Sequence, residues 1–100
     1  ENIYPTEIEN LLSKFKKITL SIVSSIPDEI TQNTLILVYE SEELINHEEI
    51  YNFLKIKLSK FKIPKKIFNI KELGINEIPK AANKKILRKK LKSILYKKII

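Results

Sequence analysis

Cysteine is absent from this 100-residue chain, which excludes disulfides and thiolate metal sites. The absence is compatible with a reducing, cytoplasmic setting. No apolar run approaches ~18 residues, so no segment reads as a membrane span. Histidine occurs once, as His47, which leaves Ser-His-Asp chemistry and a His-rich metal site without support. No G-x-G-x-x-G or Walker pattern occurs, so the chain has no phosphate-cradling loop of its own. Arginine occurs once, as Arg88. That is little for bidentate recognition of guanine or phosphate, which favours the guanidinium fork. Glycine also occurs once, as Gly74. No initiator Met, apolar signal stretch or basic targeting arm opens the chain. The opening therefore reads as mid-protein sequence.

What is present fits one domain. Hydrophobic residues make up 43%, enough for a modest core. Such a chain buries roughly two thirds of its unfolded surface. The net charge is +7, from 19 basic and 12 acidic residues. Lysine, isoleucine and asparagine are abundant together, which points to the base composition of the source before it points to a polyanionic partner.

Thr6-Glu7-Ile8-Glu9 reads as a capping box. Ile8, Leu11, Leu12 and Phe15 then share one helical face. Ile18, Leu20 and Ile22 alternate with polar residues, predicting a half-buried strand over 18–24 that Ser24 to Asp28 breaks with a Pro27-Asp28 turn. Thr34 to Tyr39 is a continuous β-prone run and predicts a central strand. Asn46 with Glu49 is a second capping signal, before a helical face of Ile50, Phe53, Leu54, Leu58 and Phe61, and Pro64 stops that helix or its exit turn. Ile67 to Ile70 is a short strand candidate, and Leu73 to Pro79 a loop. Asn83 is placed to cap a last helix with Ile86, Leu87, Leu91, Ile94 and Leu95 on one face. The order α-β-β-α-β-α predicts an α+β domain, a small and largely antiparallel sheet of about three strands with about three helices.

Asn2-Ile3-Tyr4-Pro5-Thr6-Glu7-Ile8-Glu9 resembles the motif G-x-N-I-Y-P-x-E-I-E that opens the C-terminal domain of the acyl-adenylate-forming enzymes. That superfamily comprises acyl-CoA synthetases, luciferases and peptide-synthetase adenylation domains. Its other landmarks follow in order. Pro27-Asp28 is similar to its V-P-D turn. Leu58 to Lys65 resembles L-x-x-[YF]-K-x-P-K, and Ile78 to Leu91 resembles L-P-K-T-x-x-G-K-I-L-R-x-x-L. The resemblance spans essentially the whole chain. It implies that a large N-terminal domain and a short hinge stand before Glu1. It also implies that residues 1–100 form a mobile lid domain that folds alone but does not catalyse alone.

The implied reaction has two halves. A carboxylic acid and ATP give acyl-adenylate and pyrophosphate, and a thiol of CoA or of carrier-protein pantetheine then displaces AMP. ATP and Mg2+ would be bound mainly by the N-terminal domain. In the first half the lid inserts one lysine between carboxylate and phosphate, where a cation stabilises developing charge. By register that residue is Lys85. The family's Gly and Thr nearby are here Lys84 and Ala81, and the adjacent lysines leave a one-residue shift to Lys84 open. A glycine there would allow φ > 0 or close backbone approach, which lysine does not do cheaply. In the second half the resemblance puts Asn2, Ile3 and Tyr4 near the pantetheine approach. It puts Phe61, Lys62 and Lys65 near the nucleotide end of CoA. Ile63 stands where some CoA users carry Arg. Read as residues alone, Phe61 is a core candidate, and Tyr4 with Pro5 a staple for the first helix.

His47 beside Glu48 and Glu49 reads as a surface residue. Glu40, Glu42, Glu43, Glu48 and Glu49 read as a solvated face. Two rival functions rest on residues 84–100 alone. The lysines there suit a nucleic-acid module gripping phosphates, or a helix lying on an anionic membrane surface. A third alternative is a degenerate, non-catalytic member of the ligase family.

Overall fold

The computed structural model describes residues 4–28 and 32–99. The elements are α1 (Pro5–Leu12), β1 (Leu20–Asp28), β2 (Gln32–Glu40), α2 (His47–Lys57), β3 (Lys66–Asn69) and α3 (Arg88–Ile99). Short 3-10 turns occupy Lys60–Lys62 and Ile70–Leu73. The sheet order is β1-β2-β3. β1 and β2 form a nine-residue antiparallel hairpin, and β3 adds four residues parallel to β2 after the α2 crossover. The α+β expectation, with three helices on a small and mainly antiparallel sheet, holds.

The sheet is covered on both faces. Ile8 and Leu12 of α1, and Ile50 and Leu54 of α2, pack on the face shown by Val23, Leu37, Tyr39 and Ile67. Leu91 and Leu95 of α3 pack on the other, against Ile22, Ile26, Ile36 and Val38. β2 thus buries successive residues on alternate sides, which is why 34–39 reads as an unbroken apolar run. Burying each such side chain contributes about 1.5–3 kcal/mol before entropy is counted.

Several boundaries differ from the sequence expectation. The Thr6–Glu9 capping box is not formed. Tyr4 is the N-cap, without a side-chain bond, and Pro5 occupies the first turn, where its missing N–H costs nothing. Glu9 is thereby released for other work. β1 starts at Leu20, so Ile18 falls in the α1/α2 core, away from Leu20 and Ile22. The strand also runs through Ser24–Asp28 instead of breaking there. The Val23 N–H turns outward, to the Glu9 carboxylate at 2.8 Å. Pro27, four residues on, shares that outward side of an edge strand and forfeits no ladder bond.

Asn46 does cap α2, accepting from the Glu48 N–H at 3.0 Å. The helix ends at Lys57, with Leu58 already extended, so Phe61 is not on its core face, and Pro64 follows the 3-10 exit turn and not the helix itself. Ile70 starts a 3-10 turn instead of ending β3, and Gly74 closes that turn at φ +72°, the left-handed conformation glycine tolerates. α3 begins at Arg88, so Asn83 does not cap it, and Ile86 and Leu87 lie before the helix.

Candidate functional site

Residues 78–88 form a short hairpin standing between β2, α1 and the start of α3. Lys80 and Ile86 pair across it, and the Leu87 N–H donates to the Pro79 carbonyl at 2.9 Å. At the tip the Lys84 N–H donates to the Ala81 carbonyl and the Ala81 N–H to the Lys85 carbonyl, both at 2.8 Å. The Asn83 side-chain oxygen accepts from the Lys85 N–H at 3.1 Å. Asn83 therefore caps the turn and not the helix. Lys84 has φ +68°, the one positive φ outside glycine among the described residues. A hairpin loop of this kind needs a left-handed residue after the turn, usually glycine. Lys84 adopts what the family pattern's glycine would supply, at a cost of about 1–2 kcal/mol. Lys85 follows it, exposed at the hairpin tip.

Two carboxylates hold the legs of this hairpin. Glu40, at the end of β2, accepts from the Ile78 N–H at 2.7 Å and lies 3.7 Å from the Lys80 ammonium. Glu9 accepts both arms of the Arg88 guanidinium, at 2.9 and 3.0 Å, besides the Val23 N–H. The hydrogen bond to Glu9 holds the Arg88 pKa above its usual value, against partial desolvation. Glu40 is thus not part of a solvated acidic face. The sequence reading missed both carboxylates. Their one visible trace is that Glu9 and Arg88 each close a motif, the opening I-E and the later I-L-R.

The second group of predicted residues lies elsewhere. Asn2 and Ile3 fall outside the described residues. Tyr4 is exposed at the start of α1, and Phe61 is 76% exposed, which overturns its place in the core. Once α2 ends at Lys57, the 3-10 turn swings Phe61 off the helical face. Lys62 is half-buried, its ammonium 3.5 Å from Glu7 of α1. Lys65 is exposed, and its backbone is pinned, N–H to the Leu35 carbonyl at 3.0 Å and carbonyl to the Tyr51 hydroxyl at 3.2 Å. The structure therefore brings residues 61–65 to the opening end of α1 through Lys62 and Glu7. It brings the Lys85 hairpin to α1 through Arg88 and Glu9. Two residues along a helix turn by about 200°, so these two groups flank α1 on opposite sides.

His47 is not a free surface residue. It is half-buried, 3.1 Å from the Tyr39 hydroxyl and 3.3 Å from Glu72. Burial first, then Glu72, holds the Tyr39 pKa above its usual value, against a hydrogen bond with Asn69 that lowers it. Among the described residues no group of three His, Cys, Asp or Glu converges as a metal site. No described helix is long and apolar enough to cross a membrane. Leu91 and Leu95 of α3 pack on the sheet, so the rival membrane-surface reading does not have that apolar side to insert.

No family model matches the chain. Sequence comparison finds 2-succinylbenzoate–CoA ligases. That of Bacillus cereus is 36% identical over 96 residues, which are 95% of this chain and 19% of the relative. That of Staphylococcus epidermidis is 34% identical over 93 residues, again 19% of its length. The chain thus spans about a fifth of the curated relatives it matches. Among solved structures, the o-succinylbenzoate CoA synthetase of Bacillus subtilis in complex with its acyl-adenylate intermediate matches 92% of this chain and 18% of its own. The TM-score there is 0.80, at 29% identity. The MatB protein of Rhodopseudomonas palustris matches 99% of this chain and 19% of its own, with a TM-score of 0.84 at 25% identity. The nucleic-acid alternative finds no counterpart in these ligases.

Proposed function

Because these residues carry the sequence and the fold of the C-terminal domain of acyl-adenylate-forming ligases, we propose that they act as the lid of an ATP-dependent acyl- or aryl-AMP ligase. A large N-terminal domain would hold the acid, most of ATP and its Mg2+. The related Bacillus subtilis synthetase has been solved with ATP and a magnesium ion. This chain's own described residues offer no metal cluster.

In the first half-reaction a carboxylate oxygen attacks the α-phosphorus of ATP. The bond to the bridging oxygen breaks, and pyrophosphate leaves. Lys85 is the cation we assign between carboxylate and phosphate, where negative charge accumulates. Its ammonium is a compact point charge on a long stem, suited to reaching in from a hairpin tip. In the second half-reaction a thiol sulfur attacks the acyl carbonyl, loses its proton to solvent, and AMP leaves with the former carboxylate oxygen. Tyr4, Phe61, Lys62 and Lys65 are the residues we assign to the acceptor side. The exposed ring of Phe61 is free to stack on an adenine, and Lys65 to meet its phosphates. Their separation from Lys85 across α1 suits a lid that presents one flank per half-reaction. CoA is the acceptor favoured by the relatives, with carrier-protein pantetheine the alternative.

One observation carries the register: the left-handed turn that the family pattern assigns to glycine is kept at Lys84, which leaves Lys85 as the presented lysine. The test is acid-dependent pyrophosphate release by the full-length protein, with Lys85→Ala and Lys84→Ala beside wild type. Lys85→Ala is expected to lose a factor of ~100 or more, about 3 kcal/mol of transition-state stabilisation, while Lys84→Ala loses far less. Equal rates for wild type and Lys85→Ala over a panel of carboxylic acids would leave a degenerate, non-catalytic domain.

A further inference from the structure

The hairpin that carries Lys85 has little regular structure of its own. One isolated bridge pairs its legs, and a two-stranded hairpin alone is marginal in water. Its orientation must come from the body of the domain. The two legs are held by different carboxylates on different elements: Glu40, on β2, takes the incoming leg and Glu9, on α1, the outgoing one. The outgoing contact is the stronger. It is a bidentate, charge-assisted pair between a half-exposed Arg88 and a Glu9 side chain that is 14% exposed. Glu9 also bonds the outer edge of β1 through Val23. It therefore fixes α1, β1 and the hairpin to one another at a single carboxylate.

We propose that Arg88, clamped by Glu9, is a positioning residue for the first half-reaction: the pair sets where the Lys85 hairpin points, without itself touching the reacting atoms. This rests on the assignment of Lys85 above. A lysine at the tip of a hairpin acts through geometry, and a misplacement of about 1 Å in such a group costs on the order of 100-fold. Lys62, on the proposed acceptor side, meets α1 on the opposite side from Arg88, through the separate contact with Glu7. Loosening Arg88 therefore disturbs one half-reaction and spares the other.

The experiment uses the full-length protein with Arg88→Ala, Arg88→Lys and Glu9→Gln. Each is assayed for acid-dependent pyrophosphate release and, separately, for transfer from a supplied acyl-adenylate to CoA. Arg88→Ala is expected to lower pyrophosphate release by roughly 10- to 100-fold, through kcat and not the KM for the acid. Transfer should stay within about 3-fold of wild type. Arg88→Lys keeps the charge and loses the fork, and should fall between the two. Glu9→Gln added to Arg88→Ala should lower pyrophosphate release by less than about 3-fold more, because one contact is removed twice. If Arg88→Ala does not fold, Arg88→Lys carries the same comparison. Equal loss in both half-reactions would make the pair merely structural and overturn the proposal. So would no loss in either while Lys85→Ala is impaired. If Lys85→Ala is itself unimpaired, the assignment of Lys85 falls, and this proposal with it.

Discussion

At the scale of single residues, Lys84 is the clearest departure from family habit. It holds φ +68° where a Cβ is unwelcome. Lys84→Gly is expected to stabilise the domain by roughly 0.5–1 kcal/mol, since relief of the left-handed strain exceeds the added freedom of the unfolded chain. Lys84→Val should cost more than it gains, as a β-branched residue is a poorer fit to that conformation. Urea denaturation of both variants checks this, and a destabilised Lys84→Gly would contradict the strain account. Tyr39 gives a second residue-scale prediction. Burial raises its pKa in the folded state. Between the unfolded value near 10 and the folded one, the folded chain holds the proton that the unfolded chain has lost. Stability is therefore fully present below about pH 10 and falls as the pH rises above it. Tyr51, also raised chiefly by burial, adds in the same direction. Unfolding measured from pH 8 to 11 should show the fall, and Tyr39→Phe should flatten it.

At the scale of elements, α2 separates packing from mere apolarity. Leu54 is fully buried and Ile56 is 85% exposed, two residues apart on the same helix. Leu54→Ala is expected to cost about 2–5 kcal/mol and Ile56→Ala no more than about 0.5. Thermal melts of the two variants decide it, and similar losses would mean Ile56 is covered. The same helix shows why element types were legible and boundaries were not. The 3.6-residue pattern of Ile50, Phe53, Leu54 and Leu58 is a local property. The helix stops at Lys57, with Leu58 extended, although the pattern runs on to Phe61, and no periodicity announces that stop. β1 failed for a related reason. Pro27 signals a turn in a sequence, but on the outward side of an edge strand it gives up no bond.

For the molecule as a whole, the radius of gyration is 13.0 Å, close to the value of ~13 Å expected for a self-contained domain of this length. Both sheet faces are covered, and no buried side-chain polar atom lacks a partner among the described residues. The isolated 100 residues are expected to unfold in one cooperative calorimetric transition and to release no pyrophosphate. Turnover by these residues alone would refute the lid proposal. The charge of +7 remains in this picture a property of the solvated faces, α3's above all.

By itself, the sequence determined the element types, the α+β class and the family likeness, because periodicity and motif spacing are written in neighbouring residues. It also pointed to Lys85 by register. Only the tertiary structure decided that Glu9 leaves the capping box for Arg88 and Val23. The structure alone also tied Glu40 to the Lys85 hairpin and turned Phe61 outward. It joined Lys62 to Glu7 and Arg88 to Glu9, two positions about 200° apart around α1. The physical reason is the distance along the chain. Glu9 and Arg88 are 79 residues apart, and Glu40 and Ile78 are 38 apart. A carboxylate's choice among such partners is made only when packed elements bring them within hydrogen-bond reach.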